Sequence, residues 1–389
     1  MMRRCICRIV CSRAVLSFLT TSVIQANLLN DANRKPHIGE NRLTFGVATV
    51  RAGIIVIVEG NKIMRPKSCT TDSTWAGTEQ ILGHCGNDRG QMALTKIDLR
   101  NKVAVVTGGG RGIGRAIALR LANAGAKVAV IARTENEIAE TSRLIQQAGG
   151  HARPLAGDVT NADAMSSVFS VIERTLGYVS ILVNDAGIIG PIAPFWETSI
   201  EEWWRVLDVN LRGAALCSHL VLPGMVTRQH GRIINLISGG AAFSLAYFSG
   251  YIASKAALAR FSEVLAAETK PHGISVFALA PATVRTAMSE HSLNSPDGKK
   301  WIPWFARIFD EGLTVPVERV AEFAAQLSSG VADALSGRFL SVTDDLELLL
   351  NNVAEIDQEN LYSLRVRKLP SAVASTKFDA IRKGAEQAG

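Results

Sequence analysis

The stretch from Lys102 to Arg133 leaves the chain few choices of fold. "KVAVVT" is a short apolar run rich in β-branched residues, the pattern of a strand buried on both faces. "GGGRGIG" follows, then "RAIALRLANAG", a helical stretch ending in Gly125, then a second apolar strand, "KVAVIAR". Strand, glycine turn, helix and strand make a βαβ unit. Gly108, Gly112 and Gly114 have the spacing G-x-x-x-G-x-G, with Ile113 between the last two. The turn must be sharp, and its backbone must approach a diphosphate with no Cβ atoms intervening. The helix that follows aims free N–H groups and a partial positive charge at the same place. In this strand-to-helix setting the turn reads as a dinucleotide site formed by Gly108, Arg111, Gly112, Ile113 and Gly114.

The end of the second strand is where such a site reads the ribose. An acid there would accept hydrogen bonds from the 2′-hydroxyl of NAD, but this chain has Arg133, and Arg111 lies within the glycine turn. Paired guanidinium donors suit a 2′-phosphate, which favours NADP(H), with NAD(H) as the alternative. The plainer alternative is that both arginines are solvated.

"ARPLAGDVT", "VSILVNDAG", "GRIINLIS" and "GISVFALAPA" continue the series of strands, with helical stretches between them. Regular alternation predicts an α/β fold, a Rossmann-like doubly wound parallel sheet with helices on both faces. Ligands of such sheets bind at the carboxyl ends of the strands. Asp158, Asn184, Ser238 and the segment after Pro281 fall there. In "SGYIASKAAL", Tyr251 and Lys255 are four residues apart in a helix-favouring segment, so phenol and ammonium share one face.

"TGGGRGIG", "GDVT", "NDAG", "DVN", "LIS", "YIASK" and "PATVRT" occur in that order, with Ser238 thirteen residues before Tyr251. The ordered set resembles the short-chain dehydrogenase/reductase family over roughly residues 97–345. The resemblance implies a catalytic group of Asn210, Ser238, Tyr251 and Lys255. It implies that Asp158 and Val159 contact adenine, that Asn184, Ala186 and Gly187 line the cofactor, and that Pro281, Val284 and Thr286 hold its nicotinamide end. Tyr251 and Lys255 would touch the cofactor as well. The expected chemistry is hydride transfer between NADP(H) and a small-molecule carbonyl/alcohol pair, with Tyr251 as acid/base. Lys255 is expected to lower the phenol's pKa, Ser238 to orient the substrate oxygen, and Asn210 to position a water. A non-catalytic NADP-binding regulator of the same fold is the competing reading. Two departures stand out. Asp185 replaces a frequent Asn and is expected to be harmless, and Ala282 replaces a usual Gly, with a slight change expected in the nicotinamide loop.

Charge and cysteine usage divide the chain. Before position 92 lie twelve basic and six acidic residues and five of the six cysteines; the rest carries 30 basic and 29 acidic residues with Cys217 alone. The nearly neutral main body has no basic stripe interleaved with aromatics, which argues against nucleic acid as a partner. A lone cysteine allows it no internal disulfide, in keeping with a reducing, cytoplasmic setting. Residues 1–91 are expected to be a disordered extension, a leader or an over-called start. Their acid-free first thirty residues would make the setting mitochondrial if they form a transit peptide. No run of about eighteen apolar residues reads as a membrane span.

The Rossmann-type domain is expected over 92–350, with a substrate lid at about 287–316 and a C-terminal tail over 351–389. The lid brings Trp301, Trp304 and Phe305, either to meet a substrate with considerable apolar surface or simply to pack. Tyr247 is expected to line the substrate side or to pack. The helices around "EEWWRVLDVN" and Tyr251 commonly form a subunit interface in the family, which implies a homodimer or homotetramer.

Overall fold

Five β-branched or small residues, all buried, make Val103–Thr107 (β1) the middle strand of the sheet. Their side chains alternate between two cores. Ala104 and Val106 face one, while Val103 and Val105 face the other. The computed structural model describes residues 97–366, together with two paired two-residue strands, Val58–Glu59 and Lys62–Ile63. The expectations for the rest of residues 1–91 and for residues 367–389 lie outside the described residues. By contacts the chain divides into two units, Met1–Arg89 and Gly90–Gly389.

The second unit alternates as its sequence predicts. After β1 come α1 (Gly112–Asn123), β2 (Lys127–Ala132), α2 (Glu135–Gln147), β3 (His151–Ala156), α3 (Ala162–Thr175) and β4 (Val179–Asn184). Then come α4 (Ile200–Leu207), a π-helical turn (Asp208–Arg212), α5 (Gly213–Arg228), β5 (Gly231–Leu236), α6 (Ser249–Thr269) and β6 (Ile274–Ala280). Three short helices follow: α7 (Ala287–Asn294), α8 (Pro296–Trp301) and α9 (Phe305–Asp310). The unit closes with α10 (Val317–Ser329), β7 (Phe339–Ser341), α11 (Leu346–Asn351) and α12 (Val353–Gln358). The seven strands are parallel, in the order β3-β2-β1-β4-β5-β6-β7. The order reverses between β1 and β4, which opens a crevice at their carboxyl ends.

Helices cover both faces. Ile117, Leu121, Ile138, Ile145, Val320 and Phe323 fill the core beneath α1, α2 and α10. Met165, Phe169, Ile172, Cys217, Val221 and Met225 fill the core beneath α3 and α5. Cys217 is fully buried, and burial pushes its thiol up to about 12, so it serves as a small core residue.

A polar network crosses the sheet just below the crevice. Asn184 and Asn235 face each other across β4 and β5, and Asn184 Nδ2 donates to Asn235 Oδ1 at 2.8 Å. Asn235 Nδ2 donates to Ser262 Oγ on α6 at 2.8 Å, and Asn184 Nδ2 also reaches Ser218 Oγ on α5 at 3.3 Å. Both amides are buried, so their hydrogen bonds are obligatory.

The C-terminal stretch continues the domain instead of leaving it. Ile356 of α12 enters the main core, and Phe339 N of edge strand β7 donates to Tyr362 O at 2.7 Å. Arg338 holds the same segment through Asp357 and Leu361 O. This covers part of an edge that would otherwise present unpaired backbone groups. Among the described residues no helix is long and apolar enough to cross a membrane.

Asn235→Ala is expected to lower stability by about 1–3 kcal/mol, because it removes two buried hydrogen bonds and leaves Asn184 Nδ2 only its longer bonds to Ser218 Oγ and Ala214 O. Urea unfolding at neutral pH measures it; an unchanged midpoint would remove the network's structural role.

Candidate active site

The glycine turn is shaped by what it cannot hold. Gly108 has a φ of 70°, and a Cβ there would lie 2.8 Å from Ala186 N at the end of β4. A Cβ on Gly114 would lie 2.5 Å from Gly108 O and 2.7 Å from Asp185 Oδ2. Gly112, with a φ of 55°, meets no atom closer than the Thr286 methyl at 3.5 Å. The first turn of α1 therefore sits within reach of the loop after β6. Arg111 precedes the helix in extended conformation and offers no side-chain cap, and the first turn carries no acid. Arg115 anchors the turn from behind, its Nε donating to Gly110 O at 2.9 Å and to Thr141 Oγ1 at 3.0 Å. Ile113 is partly buried against the core beneath α1.

These features fit a dinucleotide diphosphate. They give close backbone approach, a helix N-terminus with orphan N–H groups, and no side chain across the turn. At the ribose corner, Arg111 is exposed and sits 3.4 Å from Glu137 of α2. Arg133 is exposed at the end of β2. Burial opposes ionisation of Asp158, but hydrogen bonds from Thr160 and the charges of Arg133 and Arg205 outweigh it, leaving its pKa below the usual carboxylate value. Asp158 Oδ1 accepts from Thr160 N at 3.0 Å and Thr160 Oγ1 at 2.8 Å, so it also shapes its own turn. Val159 is buried, its side chain so close to Gly213 that a Cβ there would lie 2.6 Å away.

At the end of β4, Asn184 is committed to the polar network, so its side chain points into the sheet–helix interior and not into the crevice. Ala186 N donates to Thr107 Oγ1 at 3.3 Å, tying the loop to β1. A Cβ on Gly187 would lie 3.2 Å from Asn210 Oδ1 and 3.6 Å from Lys255 Nζ. Three of the expected residues thus converge on one point. Asn210 occupies the π-helical turn, a distortion frequent at functional sites. Its Oδ1 accepts from Ile188 N at 2.8 Å, and its Nδ2 donates to Ile188 O at 2.9 Å and to Ser254 Oγ at 3.0 Å.

α6 carries Tyr251 and Lys255 one turn apart. Lys255 Nζ lies 5.8 Å from the Tyr251 ring centroid and donates to Leu236 O, the last residue of β5, at 2.7 Å. Ser238 lies two residues beyond that strand, close enough to the Tyr251 phenol to affect its pKa, and its Oγ accepts from Gly240 N at 3.2 Å. The charges differ from the sequence expectation. Burial pushes the Tyr251 phenol above its ordinary value, Ser238 opposes this, and the Asp185 carboxylate adds to it. Lys255 does not bring the phenol down. Burial lowers Lys255 itself to about 8, with Asp185 acting the other way. The protein by itself holds a protonated phenol.

Asp185 was missed by sequence reasoning as a functional group. Burial raises it to about 7, against the pull of Lys255 and of the Gly114 backbone N–H. An acid following an apolar strand directly was the available signal.

Beyond β6, Pro281 opens the loop and Val284 is buried in the core beneath α1. Thr286 caps α7, its Oγ1 accepting from Ser289 N. Ala282 adopts a φ of 56°, so the loop keeps a glycine-like turn at some cost in strain. An apolar cluster, to which α8, α9 and the turn between them contribute Trp301, Ile302 and Phe305, packs against the Tyr251 side chain. Ile192, Phe248 and Ile302 form its buried centre, with Tyr247, Tyr251, Trp301 and Phe305 packed around it. Tyr247 has a φ of 71° and stacks on Trp301 at 5.0 Å between ring centroids. Trp304 stays 43% exposed.

With this geometry established, similarity to known proteins is informative. The family model described as short chain dehydrogenase matches residues 102–296. A short chain dehydrogenase of Pseudocercospora fijiensis is 42% identical over 201 residues, covering 51% of this chain and 63% of the relative, so the match spans under two thirds of that protein. A 3beta-hydroxysteroid dehydrogenase of Eggerthella lenta is 35% identical over 253 residues, covering 64% of this chain and 95% of the relative. Among solved structures, a gluconate 5-dehydrogenase from Burkholderia cenocepacia in complex with NADP and tartrate superposes with a TM-score of 0.58 at 28% identity, covering 64% of this chain and 96% of that one. On motif order, fold, site geometry and these likenesses together, the chain belongs to the short-chain dehydrogenase/reductase family and is an oxidoreductase acting on CH–OH groups.

Proposed function

We propose that the protein is an NADP(H)-dependent oxidoreductase that interconverts a carbonyl and an alcohol, with Tyr251 as the acid/base. The gathering of Ser238, which lies close enough to the Tyr251 phenol to oppose the rise in its pKa, with Tyr251 and Lys255 one turn apart on α6, Lys255 Nζ 5.8 Å from the Tyr251 ring centroid, is the observation that carries this reading. NADP(H), held by the glycine turn and the loop after β6, would supply or accept the hydride.

In the reducing direction, the substrate oxygen takes its proton from the Tyr251 hydroxyl. The raised pKa of that group suits a proton donor. Ser238 donates to the same oxygen and fixes its direction. Lys255, one turn along α6 and anchored on Leu236 O, would hold the cofactor beside the phenol. Asn210 acts further back. Its side chain is used up on Ile188 and Ser254, so it positions the 187–188 loop beside Lys255. Thr286, by capping α7, sets where the lid leaves the cofactor loop.

Arg111 and Arg133 support a preference for the 2′-phosphate, since both guanidinium groups are exposed at the ribose corner. The NADP-bound gluconate 5-dehydrogenase is a supporting likeness. The cluster of Tyr247, Trp301 and Phe305 against the Tyr251 ring supports a lid over 287–316 and a substrate with considerable apolar surface. The likeness to a hydroxysteroid dehydrogenase points the same way. Assembly into a homodimer or homotetramer through α4 and α6 accords with Trp196 and Trp204 standing 83% and 55% exposed beside them.

Tyr251→Phe is expected to lower kcat by about 10²–10⁴-fold while NADPH binding is kept, measured by NADPH oxidation over a carbonyl panel and by fluorescence titration. Near-normal turnover would reject Tyr251 as the acid/base. Arg133→Ala is expected to weaken NADPH by about 10–100-fold and to leave NADH nearly unchanged. Equal losses for the two coenzymes would contradict the 2′-phosphate assignment.

A further inference from the structure

The helix that faces the diphosphate has an acid already at its N-terminus, and that acid comes from another strand. α1 lacks a cap of its own: Arg111 offers no side-chain acceptor and no acid stands in the first turn. The Gly114 N–H is one of the orphan donors that result. The carboxylate of Asp185, which follows β4 directly, lies against this end of the helix. The contact is close because Gly114 has no side chain; a Cβ there would lie 2.7 Å from Asp185 Oδ2. Backbone also crowds the acid from β1, since a Cβ on Gly108 would lie 3.1 Å from the Asp185 carbonyl carbon.

We infer that Asp185 is a positioning residue that caps α1 across the crevice and takes up a proton from solvent when the coenzyme's diphosphate arrives at the same helix end. This rests on the dinucleotide reading of the glycine turn. A single helix N-terminus carries roughly half a positive charge. A carboxylate and a diphosphate there repel each other in a poorly solvated place. The carboxylate is the member able to neutralise itself, and as a carboxylic acid it keeps an oxygen to accept from Gly114 N–H. The titratable groups acting on Asp185 are Lys255 and Tyr251, both from α6, while α1 and β1 bring backbone. Lys255 favours the ionised acid; burial works against it and leaves the acid near neutrality, at about 7.

The sign follows. An added anion raises the acid's pKa in the complex above its value in the free protein. Below both values the acid is neutral throughout and coenzyme binds best. Affinity falls as pH rises through the free value and levels off above the bound one. A one-unit difference between the two makes this about tenfold between roughly pH 6 and pH 8.5.

The test uses the full chain and NADH, whose phosphates do not titrate near neutrality, with NADPH in parallel. Asp185→Asn keeps the shape and an oxygen for Gly114 N–H and removes the titration. In the unsubstituted protein at about pH 7.5, calorimetry in two buffers of different ionisation enthalpy is expected to show net proton uptake on binding. Difference infrared spectra are expected to show a protonated-carboxyl C=O band appearing. In Asp185→Asn the band should be absent, and NADH should bind about tenfold tighter at pH 8.5 than to the unsubstituted protein. Lys255→Met separates the remaining candidate: loss of the ammonium raises the Asp185 pKa, so uptake is expected to move to higher pH instead of disappearing. The inference is overturned if the carboxyl band survives in Asp185→Asn, or if uptake vanishes at every pH up to about 9 in Lys255→Met while remaining in Asp185→Asn. If neither coenzyme binds the unsubstituted protein, the dinucleotide reading falls and this inference falls with it.

Discussion

The approach of the β1–α1 turn to the end of β4 is the constraint on which the site depends. Gly108 and Gly114 have no side chains, and the backbone of Ala186 and the carboxylate of Asp185 occupy the space thereby freed. Were either glycine to carry a Cβ, the two strands flanking the switch point would be pushed apart at their carboxyl ends. The crevice would then lose both its floor and the orientation of α1. The same contact brings the loop after β4 to Lys255 and Asn210, so the glycine turn and the Tyr251–Lys255 face share one piece of backbone.

The second organising fact is the burial of Lys255. The residue is 5% exposed and its ammonium is held by Leu236 O. A charge in that position is costly, and burial accordingly lowers its pKa to about 8. Asp185 is the counterweight. The two groups moderate one another across the crevice, and Tyr251 feels the acid as a further push upward. An acid at position 185 therefore alters the electrostatics of lysine, phenol and helix end together. A residue that the motif pattern treats as an indifferent substitution becomes part of the proton inventory of the site.

The polar network of Asn184, Asn235, Ser218 and Ser262 does different work. It locks β4, β5, α5 and α6 together immediately below the chemistry. Packing alone leaves strands free to slide by small amounts. Paired buried amides specify a register, and here that register fixes the height of Ser238 and Lys255 relative to the loop after β4.

Sequence alone determined the parallel α/β sheet, because apolar strands alternating with amphipathic helices admit few other layerings. It also determined the glycine turn and the Tyr251–Lys255 face, since both follow from local spacing: three glycines within seven residues, and four residues on one helix. The tertiary structure decided what depends on groups distant in the chain. Asn184 turned inward because Asn235 and Ser218 lie opposite it, and the pKa of Tyr251 rose because burial and Asp185 outweigh the opposing effect of Ser238. Trp301 and Phe305 joined the phenol's apolar surroundings while Trp304 stayed out, a division that the order of aromatics in the chain does not encode. Periodicity and spacing report on neighbours along the chain. Desolvation and charge coupling depend on neighbours in space, and only the fold supplies those.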